Sequence, residues 1–348
     1  VSRAQIRLAL LSWLDRPGAL LESAEPFLRT KLAVVLALLV KADYPRVWGS
    51  AFPDLITLLQ RGPAYIDLFL RFLCAVDEEI VAFHVDRTRE EVDANTIIKD
   101  ALRTPGGADG LGLTGLCAIL FEVVGAYREG AQVALAVSAL EVCQRYIGWI
   151  EITEVANEHY LPLFYECLRS QHAELSCAAC GCLLEMVNKG MEDPLEKLSL
   201  LQRLQPLSMV REVHMEEEDI AAKAAQLIDA VGQQLLQCWD KLEPAFAQVA
   251  GGNGSGSGTP TGVLNGAGGG GGDAAAAAAL VLQKGSAAAA VAAAAMLNEV
   301  MPLFWLCVSH EQVEVASAMM PTVARLLQTL KRQVQAAVAA GAGAAALA

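Results

Sequence analysis

The most constraining feature of this sequence is a phrase that returns after one long period. Leu140-Glu141-Val142 is followed by Leu184-Glu185-Met186, and the two glutamates lie 44 residues apart. Helical hairpins of the HEAT type repeat about every 40–47 residues. Each such hairpin buries its apolar face against its neighbours. The spacing therefore predicts an all-α fold, a HEAT-repeat-like α-α superhelix, or solenoid.

Composition and periodicity extend this prediction along the chain. Hydrophobic residues make up 54% of the sequence and aromatic residues only 6%, a balance that favours closely packed helices over strands. The chain contains a capping-box pattern, Thr88 followed three residues later by Glu91, which predicts a helix start. The pattern predicts helices at 24–41, 45–60, 65–85, 89–103, 116–128, 131–149, 152–169, 174–188, 194–206 and 217–242, and again from 296 to 330.

Composition also divides the chain into four regions. We expect HEAT repeats in 1–250, a flexible Gly/Ala-rich low-complexity insertion in 251–295, a further HEAT helix pair in 296–335 and an Ala/Gly-rich tail in 336–348. Alanine has a high helix propensity, so the alanine-rich part of the insertion is a potential helix. The chain opens without methionine inside an amphipathic run, so we expect it to be an internal piece of a longer protein.

The net charge of −13 is concentrated in the middle of the chain. Residues 104–250 hold 21 acidic and 9 basic residues, whereas 1–103 hold 14 and 13. Proteins that bind nucleic acid usually carry a basic stripe, because phosphate neutralisation dominates their affinity. We therefore expect any RNA contact to come from local clusters in the first third, or mostly from parts of the protein outside this sequence.

Nine scattered cysteines favour a reducing compartment over a disulfide scaffold. Cys177, Cys180 and Cys182 have a spacing at which thiolates can share a zinc ion, but no second ligand pair stands nearby, which favours packing inside a hairpin. The apolar runs 32–40 and 287–295 are too short to cross a bilayer, so we expect no membrane insertion. The histidines are isolated and no phosphate loop is present, so neither an enzyme nor a cofactor is indicated.

Several phrases nevertheless resemble a known family. Tyr44-Pro45 with Trp48 and the run 52–55 resembles the start of the exportin-type domain of nuclear transport receptors. Four more specific phrases follow in family order and at similar spacing: 66–71, 77–81, 95–100 and 185–191. Together they are similar to the exportin-T family of the importin-β/karyopherin superfamily, over about 4–245 and weakly over 296–330.

The resemblance implies a nuclear export receptor that binds mature tRNA together with Ran-GTP and releases it in the cytoplasm after Ran hydrolyses GTP. It also implies contact with FG-repeat proteins of the nuclear pore, shuttling between nucleus and cytoplasm, and no catalytic residues. Two alternatives stay open. One is a related exportin for protein cargo, and the other is a HEAT scaffold without transport activity.

Two charged clusters are candidate binding residues. Arg87, Arg89, Lys99 and Arg103 lie where positive charge is not outnumbered, and we expect them to contact tRNA phosphates. Acidic residues interleave with them, so ion pairing within the helix is the alternative. Glu216, Glu217, Glu218 and Asp219 open a helix and are expected either to face Ran or to be a solvated helix start.

A third group is aromatic. Trp48, Tyr146 and Trp149 are potential base-stacking platforms, but each lies on an apolar stripe at helical spacing. This placement predicts core packing.

Overall fold

The computed structural model describes residues 2–16, 21–82, 85–107, 110–205, 217–251 and 272–346. Over these residues the secondary structure is helical, without a strand, which confirms the predicted all-α class. The chain divides into two compact units, Val1–Met186 and Val187–Ala348, which we call unit 1 and unit 2.

The α-helices of the described residues follow one another in chain order. They are α1 Arg3–Leu14, α2 Pro26–Asp43, α3 Ala51–Ile56, α4 Pro63–Val76, α5 Arg89–Arg103, α6 Gly112–Tyr127, α7 Val133–Ile147, α8 Leu161–Leu168, α9 Ala173–Asn188, α10 Pro194–Leu204, α11 Glu218–Gly251, α12 Gly272–Val308, α13 Val313–Ala318 and α14 Met320–Ala346. Short 3-10 turns lie at Thr57–Arg61 and Ile152–Glu154, and a π-helical turn lies at Asp77–Val81.

Unit 1 is built from antiparallel hairpins of the expected kind. α2 packs on α4, and α6 packs on α7. The aromatic residues Phe121 and Phe164 join α6 to α8 edge to face, with ring centroids 5.4 Å apart. Ser176 Oγ of α9 donates to Leu168 O of α8 at 3.0 Å. The hairpins are therefore α2/α4, α6/α7 and α8/α9.

The second helices of these three hairpins lie side by side. α4 and α7 contact one another, and the buried Tyr146 hydroxyl donates to Leu73 O at 3.0 Å. Cys182 Sγ of α9 donates to Leu140 O of α7 at 3.1 Å. Each of these hydrogen bonds uses a helix carbonyl that the next helix covers, so neighbouring hairpins are joined inside the core.

The aromatic prediction is confirmed. Trp48, Tyr146 and Trp149 are 3%, 2% and 7% exposed. Trp48 Nε1 also donates to Asp54 Oδ2 at 2.7 Å, so its polar edge is satisfied within the fold. These rings are thus core residues and not platforms for bases.

Unit 2 is organised around the long helix α11. α12, α13 and α14 all pack against it, as does α10. Buried Asp229 of α11 accepts the Thr322 N–H of α14 at 3.0 Å, and the Thr322 hydroxyl donates to Asp229 O at 2.9 Å. Nearer the carboxyl end of α11, Asp240 pairs with Arg325 at 3.1 Å. These contacts fix the last helix of the chain on α11.

Several predicted helix boundaries are wrong. The predicted helix 45–60 begins only at Ala51, and the predicted helix 65–85 changes to π geometry at Asp77. The predicted helix 152–169 is broken before Leu161, because Asn157 Oδ1 accepts the N–H groups of His159 and Tyr160 at 3.0 Å each. A polar side chain that captures backbone donors in this way ends a helix that apolar periodicity alone would continue.

The Gly/Ala-rich region is only partly described. The glycine-rich segment predicted as a tether, 251–273, lies mostly outside the described residues. The alanine-rich segment that follows is helical and belongs to α12. One stretch of α12, Gly285–Val308, has the length and mean hydropathy (1.7) of a membrane-crossing helix, and 22% of it is buried. This match rests on length and composition alone, and the core helices of soluble proteins can meet the same criterion.

Lys197 is the most unusual polar group of unit 2. It is 4% exposed, and its Nζ donates to Lys189 O at 2.7 Å and to Val187 O. It therefore caps the carboxyl end of α9 from α10, an end at which cations are favoured. Burial lowers the pKa of Lys197 from 10.5 to about 8, because the ammonium group loses its hydration.

Close packing of α11 on α14 predicts the effect of a glycine substitution. A Cβ on Gly232 would lie 2.9 Å from Thr322 Cγ2, and Thr322 is held by its two hydrogen bonds to Asp229. We expect Gly232→Ala to lower the free energy of unfolding by about 1–3 kcal/mol, measured by urea titration followed by circular dichroism. Gly285→Ala, where no atom lies within 4 Å of the new Cβ, should instead gain about 0.5–1 kcal/mol. Equal effects of the two changes would contradict the packing.

The buried lysine predicts a pH dependence with a definite sign. Between pH 8 and 10.5 the unfolded state holds the Lys197 proton more tightly than the folded state. The contribution of Lys197 to stability therefore rises with pH across this window, by about 3 kcal/mol at most. Urea titrations at several pH values should show that Lys197→Met removes this rise. Lys223→Met should retain it, and a parallel pH profile in Lys197→Met and the unsubstituted chain would contradict the assignment.

Candidate functional site

The predicted RNA-binding residues lie on and before α5. The capping box is confirmed, because the Glu91 N–H donates to Thr88 Oγ1 at 3.3 Å and the Thr88 N–H donates to Glu91 Oε2 at 3.0 Å. Only three α5 residues, Asn95, Ile98 and Leu102, are buried. The helix is thus anchored along one narrow stripe and presents most of its surface to solvent.

Arg87 makes contacts within the fold. Its guanidinium donates to Glu78 O at 2.7 Å and to Ala82 O. These carbonyls belong to the π-helical turn and the residue after it, so Arg87 satisfies acceptors at the end of a helix. This use of the side chain supports the alternative in which Arg87 is structural.

Arg103 also makes contacts within unit 1. Its Nη2 donates to Trp149 O at 2.9 Å, and its guanidinium lies 5.4 Å from the centre of the Trp149 ring. A third contact is a 3.8 Å ion pair with Asp100. The side chain is 44% exposed, so one face of the guanidinium stays open to solvent. Arg103 thus ties α5 to the end of the α6/α7 hairpin.

The remaining two candidates differ in exposure. Arg89 is exposed and Lys99 is half-buried. Fourteen residues separate Arg89 from Arg103, about 20 Å along the helix axis, whereas Lys99 and Arg103 lie about one turn apart. The structure therefore brings Lys99 and Arg103 to one end of α5 and leaves Arg89 at the other. As a group they form a line and not a compact patch.

The acidic candidates open α11. Glu217, Glu218 and Asp219 are exposed, whereas Glu216 lies outside the described residues. Glu218 and Asp219 occupy the first turn, where carboxylates are stabilised by the helix dipole. Their exposure is compatible both with a solvated helix start and with a surface for a basic partner.

A second acidic surface was not predicted. The helices α4, α7 and α9 border a groove of about 500 Å³, lined by Cys74, Glu141, Gln144, Arg145, Gly148 and Glu185. Arg145 is engaged by Glu78 at 3.2 Å and Asp77 at 3.7 Å. Glu141 and Glu185 are the glutamates of the 44-residue repeat. The repeat was therefore the signal for this groove, because equivalent positions of successive hairpins lie side by side.

The cysteines of the predicted cluster lie on α9. Cys180 and Cys182 are buried and Cys177 is half-buried. Cys182 hydrogen-bonds Leu140 O and also Cys143. The hydrogen bond between Cys143 and Cys182, together with burial, raises the pKa of Cys143 well above its usual value of 9. Cys143 therefore stays a thiol. The contacts agree with the packing role predicted for the cluster, and no metal-binding group is found in the part of the chain that the structure describes.

Residues from three of the four specific family phrases make contacts between helices. Asp67, in 66–71, pairs with Arg29 of α2 at 2.9 Å. Asn95, in 95–100, donates from Nδ2 to Glu79 O, in 77–81, at 3.5 Å. The phrases thus mark contacts between helices, one within the α2/α4 hairpin and one between the turn after α4 and α5.

Comparison with known proteins agrees with these phrases. The family model for exportin 1-like proteins matches residues 25–183. Exportin-T of Danio rerio is 33% identical over 241 residues, 68% of this chain. Exportin-T of Arabidopsis thaliana and of Homo sapiens are each 32% identical, over 246 and 251 residues, and each match covers 70% of the chain. The chain spans about a quarter, 24%, of the length of each of these relatives.

The family model covers α2 to α8 and most of α9, together with three of the four specific phrases. Identity of about a third across most of the chain confirms the resemblance. The chain is thus similar to exportin-T proteins over about two thirds of its length and to exportin 1-like proteins over residues 25–183.

Proposed function

We propose that this chain serves in a nuclear export receptor that binds mature tRNA cooperatively with Ran-GTP. The receptor releases its cargo in the cytoplasm after Ran hydrolyses GTP, passes the pore through FG-repeat proteins and shuttles between nucleus and cytoplasm. The observation that carries the proposal is the 32–33% identity to relatives named exportin-T. GTP hydrolysis belongs to Ran, so this chain needs no catalytic residue.

The proposed RNA surface is the side of α5 that faces away from its buried residues Asn95, Ile98 and Leu102. Arg89, Lys99 and Arg103 would contact phosphates, which requires only charge and shape and suits a folded RNA. The exposed carboxylates of Glu90, Asp93 and Asp100 on the same helix limit the net positive charge. We therefore assign these cations a share of the tRNA contact, with other parts of the receptor supplying the rest.

Charge reversal on α5 tests this surface. We expect Arg89→Glu with Lys99→Glu to weaken tRNA binding several-fold and to reduce its dependence on salt, because fewer counterions are released. Filter binding at a series of salt concentrations measures both quantities. Arg103 is left unchanged because it also supports Trp149.

Lys223→Glu with Lys241→Glu is the matched control, since it makes the same change of net charge on α11 of unit 2. Circular dichroism checks that each variant keeps its helical content. Unchanged affinity and an unchanged salt slope in the double variant would remove α5 from the RNA surface. An equal loss of tRNA affinity in the control would show that the effect comes from overall charge and not from α5.

The proposed Ran surface is acidic. The exposed start of α11 offers Glu217, Glu218 and Asp219, with Glu216 beside them in sequence. Acidic surfaces of this kind attract basic partners and speed their encounter. The excess of carboxylates in residues 104–250 supports an acidic partner-binding region.

Cooperativity follows if tRNA and Ran-GTP favour the same arrangement of the hairpins. Thermodynamic linkage then requires each ligand to raise the affinity for the other by the same factor. We expect Ran-GTP, but not Ran-GDP, to raise the tRNA affinity of the full-length receptor by about 5-fold or more. Fluorescence anisotropy measures this affinity. Glu217→Lys with Glu218→Lys should reduce this rise and leave tRNA affinity without Ran unchanged. Equal tRNA affinity with and without Ran-GTP would contradict the mechanism.

A related exportin that carries protein cargo is the second candidate. The general exportin 1-like match over residues 25–183 is compatible with it. The relatives named exportin-T favour the tRNA receptor, because they match across a longer part of the chain.

A further inference from the structure

The π-helical turn at Asp77–Val81 is the least regular point in the hairpins of unit 1. The α4 helix ends at Val76, and the Ala82 N–H donates to Asp77 O at 2.8 Å, a separation of five residues. Such wide turns are rare and have weaker backbone support than an α-helical turn. The turn therefore depends on contacts from outside α4.

Two side chains that follow in sequence hold the carbonyls of this turn. Arg87 donates to Glu78 O at 2.7 Å and to Ala82 O. Asn95 of α5 donates to Glu79 O at 3.5 Å, and its Oδ1 is buried without a partner. The turn is thus joined to the segment that leads into the next hairpin.

The carboxylates of the turn reach in two other directions. Glu79 pairs with Lys41 of α2 at 3.5 Å, and Lys41 also lies 3.8 Å from Glu91 of α5. On the other side, Arg145 of α7 pairs with Glu78 at 3.2 Å and with Asp77 at 3.7 Å. Cations from the α2/α4 hairpin and from the α6/α7 hairpin therefore meet at one five-residue turn.

These ion pairs differ in kind from the contact beside them. The side chains of Glu78 and Arg145 are 58% and 44% exposed, and pairs in such settings are weak and screened by salt. The hydrogen bond from Tyr146 to Leu73 O is buried, and salt does not screen it in this way. The buried contact is placed to act as a pivot. The ion pairs are placed to set the angle around it; the Glu78–Arg145 pair is exposed, whereas the pairs of Asp77 and Lys41 are partly buried.

We propose that Asp77–Val81 is a bending point between the α2/α4 and α6/α7 hairpins, whose angle is held by the ion pairs of Arg145 and Lys41 and loosens as salt screens them. The bending point is a property of unit 1 and does not rest on the proposed function. It provides one place at which a charged ligand can change the arrangement of the hairpins by competing for Arg145 or Glu78.

Distance measurements between the two hairpins test this bending point. Lys31 of α2 and Glu122 of α6 are exposed, and both can be replaced by p-acetylphenylalanine for spin labelling, which leaves the nine cysteines untouched. Double electron–electron resonance then gives the distribution of distances. From about 0.01 M to about 1 M salt the Debye length falls from about 30 Å to about 3 Å, and the distribution should broaden roughly two-fold.

Arg145→Gln should show the broad distribution already at low salt. Arg128→Gln is the matched control, since it removes a pair with Glu166 of α8 at 3.3 Å that does not touch the turn, and it should behave like the unsubstituted chain. Should Arg145→Gln lose helical content, Glu78→Gln removes the shorter of the two ion pairs of Arg145 from an exposed position. A narrow distribution at low salt in a folded Arg145→Gln or Glu78→Gln variant would overturn the proposal. Absence of salt dependence in the unsubstituted chain would overturn it equally.

Discussion

Unit 1 depends on hydrogen bonds from one helix to a backbone carbonyl of the next, set inside the apolar contact between them. Tyr146 reaches Leu73 O and Cys182 reaches Leu140 O in this way. Both donors are 2% exposed or less, so loss of either would leave a buried acceptor short of a partner. They hold α4, α7 and α9 side by side. The charged surface that these helices share exists only because of that arrangement.

The sequence contained enough information for the hairpins but not for their irregular ends. The 44-residue repeat of Leu140-Glu141 and Leu184-Glu185 predicted helices that occupy equivalent positions, and α7 and α9 do so. The π-helical turn at Asp77–Val81 was missed, because widening a helix by one residue per turn does not disturb the apolar pattern of 65–85. The break before Leu161 was missed because it depends on where the Asn157 side chain points.

The candidate site was harder to predict than the fold. Sequence alone showed that Arg87 and Arg103 were basic residues in a region of balanced charge. Only the structure shows that Arg87 binds carbonyls of the π-helical turn and that Arg103 binds Trp149. The same difficulty applies to the family phrases, whose residues make contacts between helices. A phrase shared with relatives can mark a junction as readily as a ligand contact, because both restrict the side chain.

The most direct test of the account is to recover the RNA that binds to the receptor. The full-length protein is immobilised, incubated with nuclear RNA and either Ran-GTP or Ran-GDP, washed, and the retained RNA is sequenced. The account predicts that mature tRNA is enriched with Ran-GTP and falls to background with Ran-GDP. Retention of protein cargo without tRNA, or no difference between the two nucleotide states, would contradict it.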